Sequence, residues 1–179
     1  MERVREWFSG GVLEHRSVVT NNPRKLYPQE RDWTCSIACI RSLLSGFLEQ
    51  VPEEESLVEA CRLQPGPHYS GDIKRYHLLD NYNTVYGCDH RDITFDALLD
   101  YMEQGYFVMV ESMINYAHWM VLLGCYPAED GDPECSDLLL YDPYYNKVRL
   151  VLVDEFLAMW RDGDYENTRV DKDFIAVKK

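Results

Sequence analysis

Four side chains stand where their types and spacing allow acyl-transfer chemistry. Cys35 begins the apolar run "CSIACIRSLL" directly after the polar stretch "PQERDWT", and Gln29 precedes it by six residues. His118 opens "HWMVLLGCY", and Asp142 closes "DLLLYD" just before Pro143. A thiol attacks a carbonyl only as thiolate, and an ordinary pKa of about 8.5 leaves few per cent ionised at neutral pH. A helix N-terminus offers unpaired N–H groups worth roughly half a positive charge, and a nearby imidazolium adds a whole one. In such a constellation His118 takes the thiol proton and returns it to a departing amine, while Asp142 fixes the ring's tautomer. The Gln29 amide and the Cys35 backbone N–H then hold the oxyanion of a tetrahedral intermediate. Each residue alone has a plainer reading: a packing cysteine, a strand-end histidine, a turn-starting aspartate, a solvated glutamine. Their joint pattern favours chemistry.

These residues need elements to hold them. Asp32 or Thr34 as N-cap, apolar spacing through Ile37, Ile40 and Leu44, and a stop at Gly46 predict a helix starting at Cys35. Cys39, one turn on, is expected to pack against the sheet. "VPEEESLVEACRL", with its acidic first turn, predicts a second helix. Pro65, Gly66 and Pro67 make the stretch up to His68 a loop, and "SGDIKRYHLLDNY" reads as a short helix. "ITFDALLDYMEQG" carries Thr94 as N-cap and Gly105 at its end. From there the period changes. "YFVMVES", "AHWMVLLGCY", "DLLLYD" and "KVRLVLV" read as strands, "DEFLAMWRD" as a brief helix and "DFIAVKK" as a closing strand. Helices followed by an antiparallel sheet define an α+β architecture.

The strands beginning at His118 and ending at Asp142 read as one hairpin. Symmetric pairing about Asp130 places His118 opposite Asp142, where directly opposed Cβ atoms are about 4.5–5.5 Å apart. One slipped residue would turn the two side chains to opposite faces. The same symmetry pairs Cys125 with Cys135, as reduced thiols by default. Tyr141, Tyr144 and Tyr145 either wall a cleft beside Asp142 or pack across the sheet edge. His68, His77 and His90 are expected in loops or at the surface, His77 least firmly because it falls in a predicted helix.

The 179 residues are 46% hydrophobic and 13% aromatic, which suits one compact domain over 1–179 with residues 1–25 as an N-terminal arm. Eighteen basic against thirty-one acidic residues give a net charge of −13, which disfavours nucleic acid and anionic membranes as partners. The N-terminus lacks an uninterrupted apolar stretch, so neither a signal peptide nor a membrane span is expected. The six cysteines are then best read as reduced thiols of a cytoplasmic protein. No C-x2-C pair supports a zinc site.

Gln29, "ERDWT", Cys35, "SIAC", then "AHWMVLLGCY" and "LLLYDPYYN" resemble the papain-like C39 peptidase superfamily and its standalone members. "ITFDALLDYMEQGYFVMVE" is similar to the helix and strand that precede the family's histidine, so the resemblance covers roughly residues 27–160. It implies a papain-like fold and cleavage of a peptide or amide in a peptide or protein substrate without a cofactor. It also implies Cys35 as nucleophile, His118 as general base and acid, Asp142 as orienter and Gln29 as oxyanion donor. The family often has "D-C-G" where this chain has Thr34, Cys35 and Ser36, and a serine there is expected to crowd the substrate channel. Some related proteins carry a guanylyl cyclase label, but no acidic metal-binding pair or phosphate loop here supports that chemistry.

Two alternatives to a cysteine peptidase or amidase stay open. A thioester can be intercepted by an amine instead of water, which would make the chain an acyltransferase. A fold that binds peptide without turnover is the other, with Ser36 as its motive.

Overall fold

In a computed structural model, which describes residues 19–113, 116–126, 137–161, 163–165 and 168–179, the apolar run after Thr34 becomes helix α1, Cys35–Leu44. Every residue from Ser36 to Leu44 is buried, so α1 is wrapped by protein on all sides. Its end is set by crowding. A Cβ on Gly46 would stand 2.1 Å from the Phe107 ring, so only glycine lets the chain leave the helix there.

Helix α2, Glu54–Cys61, carries Glu54 and Glu55 in its first turn and closes at Arg62, whose φ is +52. Helix α3 is Ser70–Arg75. Thr94 caps helix α4, Phe95–Glu103, by accepting the Ala97 N–H at 3.3 Å, and Gly105 follows with φ +87, as its position predicts. Helix α5 is Val153–Met159.

The main sheet contains β1 (Val19–Thr20), β2 (Asn83–Tyr86), β3 (Phe107–Ser112), β4 (His118–Tyr126), β5 (Asp137–Asp142), β6 (Lys147–Leu152) and β9 (Phe174–Lys178). A separate ribbon pairs β7 (Gly163–Tyr165) with β8 (Thr168–Val170). The main order is β2–β9–β3–β4–β5–β6, all antiparallel, with β1 against the far end of β4. The closing strand β9 therefore lies inside the sheet, and Phe174 to Val177 are completely buried.

Each face of the sheet carries its own core. Ile37, Ile40 and Leu43 of α1, with Val58 and Ile73 from α2 and α3, pack on Met109, Trp119, Val121 and Ile175. Leu98 and Met102 of α4, with Phe156 of α5 and Trp160, pack on Val108, Val110, Leu122, Leu140 and Phe174. Full burial of each large apolar side chain contributes about 1.5–3 kcal/mol. The chain thus has the α+β fold expected of it. Two short strands precede the sheet proper in sequence: β2 falls between helices, and β1 begins within the stretch read as an arm.

The hairpin register differs from the symmetric one. Val121 stands opposite Tyr141 and Leu122 opposite Leu140, but Gly124 is opposite Leu139, so Leu123 is an extra residue on β4. β1 runs alongside at that point, where a Cβ on Gly124 would meet Thr20 Cγ2 at 3.0 Å and Val19 O at 3.1 Å. Cys125 is opposite Leu138, which corrects its expected pairing, and Cys135 lies outside the described residues.

Candidate active site

Cys35 enters the site from the start of α1, half-buried. Thr34 occupies the N-cap position but makes no side-chain cap. Its Oγ1 turns backwards instead, accepting the Arg31 N–H at 3.1 Å and donating to Arg31 O at 3.0 Å. The first turn of α1 also contains no acidic residue. A helix start whose N–H groups are neither capped nor neutralised concentrates positive potential at Cys35.

Gln29 lies on a strap fastened to α1 at several points. Ser45 Oγ accepts from Lys25 N at 3.0 Å, and Ser42 Oγ from Tyr27 N at 2.9 Å. Gln29 N donates to Pro143 O at 3.1 Å, and Glu30 N to the buried Glu54 at 3.1 Å. Arg41, buried in α1, completes the strap with ion pairs to Glu30 at 3.0 Å and Glu53 at 2.6 Å, and its guanidinium covers the Tyr27 ring at 4.3 Å. The Gln29 side chain donates one Nε2–H to Arg31 O at 2.8 Å, while its Oε1 is buried with no partner among the described residues.

His118 and Asp142 meet although the register does not oppose them. With Val121 opposite Tyr141, the residue level with Asp142 is Met120, and His118 lies two positions further along. A two-residue offset keeps both side chains on one face, and diagonal neighbours remain within reach of a long side chain. The His118 Nε2–H donates to Asp142 Oδ1 at 2.9 Å. Cys35 lies close enough to the ring to raise its pKa, and because Nε2 is committed to Asp142, Nδ1 is the nitrogen left free for the thiol. Burial by itself would push the His118 pKa down. The hydrogen bond to Asp142, the nearby Cys35 and the charges of both outweigh it and lift the value to about 9.

Asp142 is buried, and its Oδ1 also accepts the Tyr144 N–H at 3.0 Å. Burial raises its pKa, but His118, the Tyr144 N–H and the charge of Arg149 hold it below the ordinary carboxylate value. The turn after Asp142 is locked from beneath, where Tyr141 OH donates to Asn146 Oδ1 at 2.8 Å and Asn146 adopts φ +50. Tyr141 is therefore a core residue. Tyr144 and Tyr145 are about half exposed, edge to face at 4.9 Å, and Tyr116, equally exposed, stands 6.0 Å from the His118 ring. Tyr116 lies within electrostatic range of Cys35, Asp142, Tyr144 and Tyr145.

Other expectations resolve around this centre. Cys39 is buried in the α1 core, and burial, then the charges of Cys35 and Asp142, push its thiol pKa up, so it remains a packing thiol. Ser36 is 1% exposed with an enclosed Oγ, so it faces the protein interior and not the channel it was expected to crowd. His68 sits in the predicted loop, and it is buried there, its ring 5.8 Å from Trp33 and its carbonyl accepting Trp119 Nε1–H at 2.6 Å. His77 is exposed at φ +57 and pairs with Asp80, and His90 is exposed. A cavity of about 840 Å³ bounded by His68, Ser70, Asp72, Arg75, Cys88 and Asp173 does not include Cys35, His118 or Asp142.

Sequence reasoning missed Glu111. It is buried on β3, within electrostatic range of Cys35. Burial first, then the charge of Asp173, raises its pKa well above the carboxylate range, so Glu111 keeps its proton, and its carboxyl oxygens have no hydrogen-bond partner among the described residues. Asp173 in turn accepts the Ser70 N–H at 2.8 Å. A neutral acid in this place does not repel a thiolate. A carboxyl inside the strand "FVMVES" breaks the apolar pattern, and that break was the available signal.

No protein-family model and no curated protein matches the chain. Among solved structures it is similar to the peptidase domain of Streptococcus ComA, described as a bi-functional ABC transporter involved in a quorum sensing pathway. The TM-score is 0.52 at 16% identity, over 86% of this chain and 96% of that one. The shared element is the papain-like fold, with its helices packed on an antiparallel sheet. Among the described residues no helix is long and apolar enough to cross a membrane.

Proposed function

We propose that this chain is a cysteine peptidase or amidase of the C39-like kind, with Cys35, His118, Asp142 and Gln29 as its working residues. The observation that carries the reading is His118, bonded to the Asp142 carboxylate and lying near Cys35 at the uncapped start of α1.

The chemistry runs in two halves. The Cys35 thiol gives its proton to His118 Nδ1 as its sulfur forms a bond to the carbonyl carbon, and the C=O π pair moves onto oxygen. The backbone N–H of Cys35 and the second N–H of Gln29 Nε2 stabilise that oxyanion. As the C–N bond breaks, His118 passes its proton to the leaving amine, and a thioester remains. Water then gives a proton to His118 and adds its hydroxyl to the thioester carbon, and the thiolate departs. Asp142 holds the ring through Nε2 during both proton transfers.

The deciding experiment is peptide-resolved alkylation of every cysteine between pH 5 and 9, in the parent protein and in His118→Ala, followed by incubation with a peptide library. The reading requires fast alkylation confined to Cys35, its loss in the variant, and peptide cleavage. Alkylation of Cys35 no faster than of Cys61 and Cys88 would refute it, and transfer of an acyl group to an added amine without hydrolysis would move it to the acyltransferase.

A further inference from the structure

Asp142 has two carboxylate oxygens, and the triad uses one of them. Oδ2 is taken by Arg149 Nη2 at 3.2 Å. Arg149 comes from β6, two positions beyond Lys147, the register partner of Asp142, so Asp142 is flanked by diagonal neighbours on both sides: His118 on β4 and Arg149 on β6. The Arg149 guanidinium also lies over the Tyr145 ring, 4.7 Å from its centroid, and Tyr145 packs against Tyr144. The pair is lopsided: the Asp142 side chain is 4% exposed and that of Arg149 is 46% exposed.

We propose that Arg149 is a positioning residue of the catalytic centre, anchoring Asp142 by the oxygen that His118 does not use and tying it to the Tyr144–Tyr145 pair. The inference rests on the Cys35–His118–Asp142 reading above. Two consequences follow from geometry and charge. A carboxylate held at both oxygens cannot rotate away from His118 when a substrate enters over Tyr144 and Tyr145. A cation on its outer oxygen also offsets part of the carboxylate's charge, so the imidazolium that Asp142 stabilises remains able to release its proton to a leaving group.

The groups facing His118 and Asp142 bear out Arg149 as the offsetting charge. Cys35 approaches from α1, Tyr116 from the segment entering β4, and Tyr144 and Tyr145 from the turn. On β3, Ser112 is opposite His118, and the neighbouring Glu111 is protonated. Lys147, the other cation at this end of β6, forms no ion pair with Asp142. Among the described residues Arg149 is the arginine or lysine paired with the carboxylate that also holds His118.

The test is an NMR titration of the His118 ring in the full chain, in the parent, Arg149→Gln and Arg149→Lys, with Cys35 alkylation measured beside it. Glutamine keeps a donor and removes the charge, so the His118 midpoint should rise by about half a pH unit or more, and lysine should bring it back toward the parent value. A merely structural arginine would change the melting temperature and leave the midpoint in place. If Arg149→Gln folds as the parent does and its midpoint is unmoved, the inference is wrong while the triad stands. If His118 in the parent titrates as an ordinary imidazole and Cys35 is unreactive, the triad reading fails first and takes the inference with it.

Discussion

His118 reaches Asp142 on a diagonal, two residues out of register, and the 2.9 Å bond between them survives because the offset is even. An odd offset would have put the imidazole and the carboxylate on opposite faces of the sheet. The extra residue at Leu123 lies beyond the contact, toward the far end of the hairpin, so the register changes there without disturbing the pair.

The ion pair gives the fold a defined pH dependence. His118 has a folded pKa of about 9, above its unfolded value, so its contribution to stability is complete below about pH 6.5 and is lost as pH rises through 9. Asp142 is depressed, so its contribution is present above the ordinary carboxylate pKa and disappears as pH falls through its lower folded value. Thermal melts of the parent and of His118→Gln should differ most near pH 6 and converge above pH 9. A gap that widened at alkaline pH would contradict the raised value.

Asp142→Asn should slow turnover by about 10²–10⁴-fold, because the ring loses the charge that stabilises its cationic form. Cys35 alkylation below pH 7 should slow in parallel. Unchanged alkylation in this variant would show that Asp142 does not act through His118.

Gln29→Ala should cost about 10²–10³-fold in turnover, the usual loss for one oxyanion donor, and should leave Cys35 alkylation intact, since alkylation passes through no oxyanion. The same truncation removes a buried Oε1 that has no partner among the described residues, so the melting temperature should hold or rise. Equal losses in alkylation and turnover would assign Gln29 to structure instead.

Arg41→Ala should destabilise the protein by about 2–4 kcal/mol in urea unfolding, through lost packing on Tyr27 and lost charged hydrogen bonds. Glu30 and Glu53 are exposed, but the buried Glu54 also loses the charge of Arg41, which helps hold its pKa down. Because Arg41 fastens the strap that carries Gln29, turnover should fall further than Cys35 alkylation. Arg41→Met, which keeps the apolar stem, should recover part of the stability.

Glu111→Gln should stabilise the protein at pH 7 and change little near pH 4. The unfolded carboxyl ionises at its ordinary pKa while the folded one stays protonated, so the native state loses ground as pH rises. Each kcal/mol recovered by the neutral amide reads as about 2–4 °C in the melting temperature. A lower melting temperature at pH 7 would contradict the raised pKa of Glu111.

What the residues determined by themselves was local. The helix starting at Cys35, the Thr94 cap, the Gly105 end and the alternating strands from Phe107 onward depend on contacts within a few positions, and those are legible in order and spacing. The face shared by His118 and Asp142 was also within reach, because a strand's period of two survives an even error in register. Thr34 shows where this stops: its position marks the helix start, but its hydroxyl bonds backwards to Arg31 and leaves the first turn uncapped. The insertion of β9 between β2 and β3, the bulge at Leu123, the burial of His68 and Glu111, and the reach of Arg149 to Asp142 were decided only by tertiary structure. Each joins segments far apart in the chain. Their pairing depends on which apolar faces can close together, and no local pattern encodes that choice.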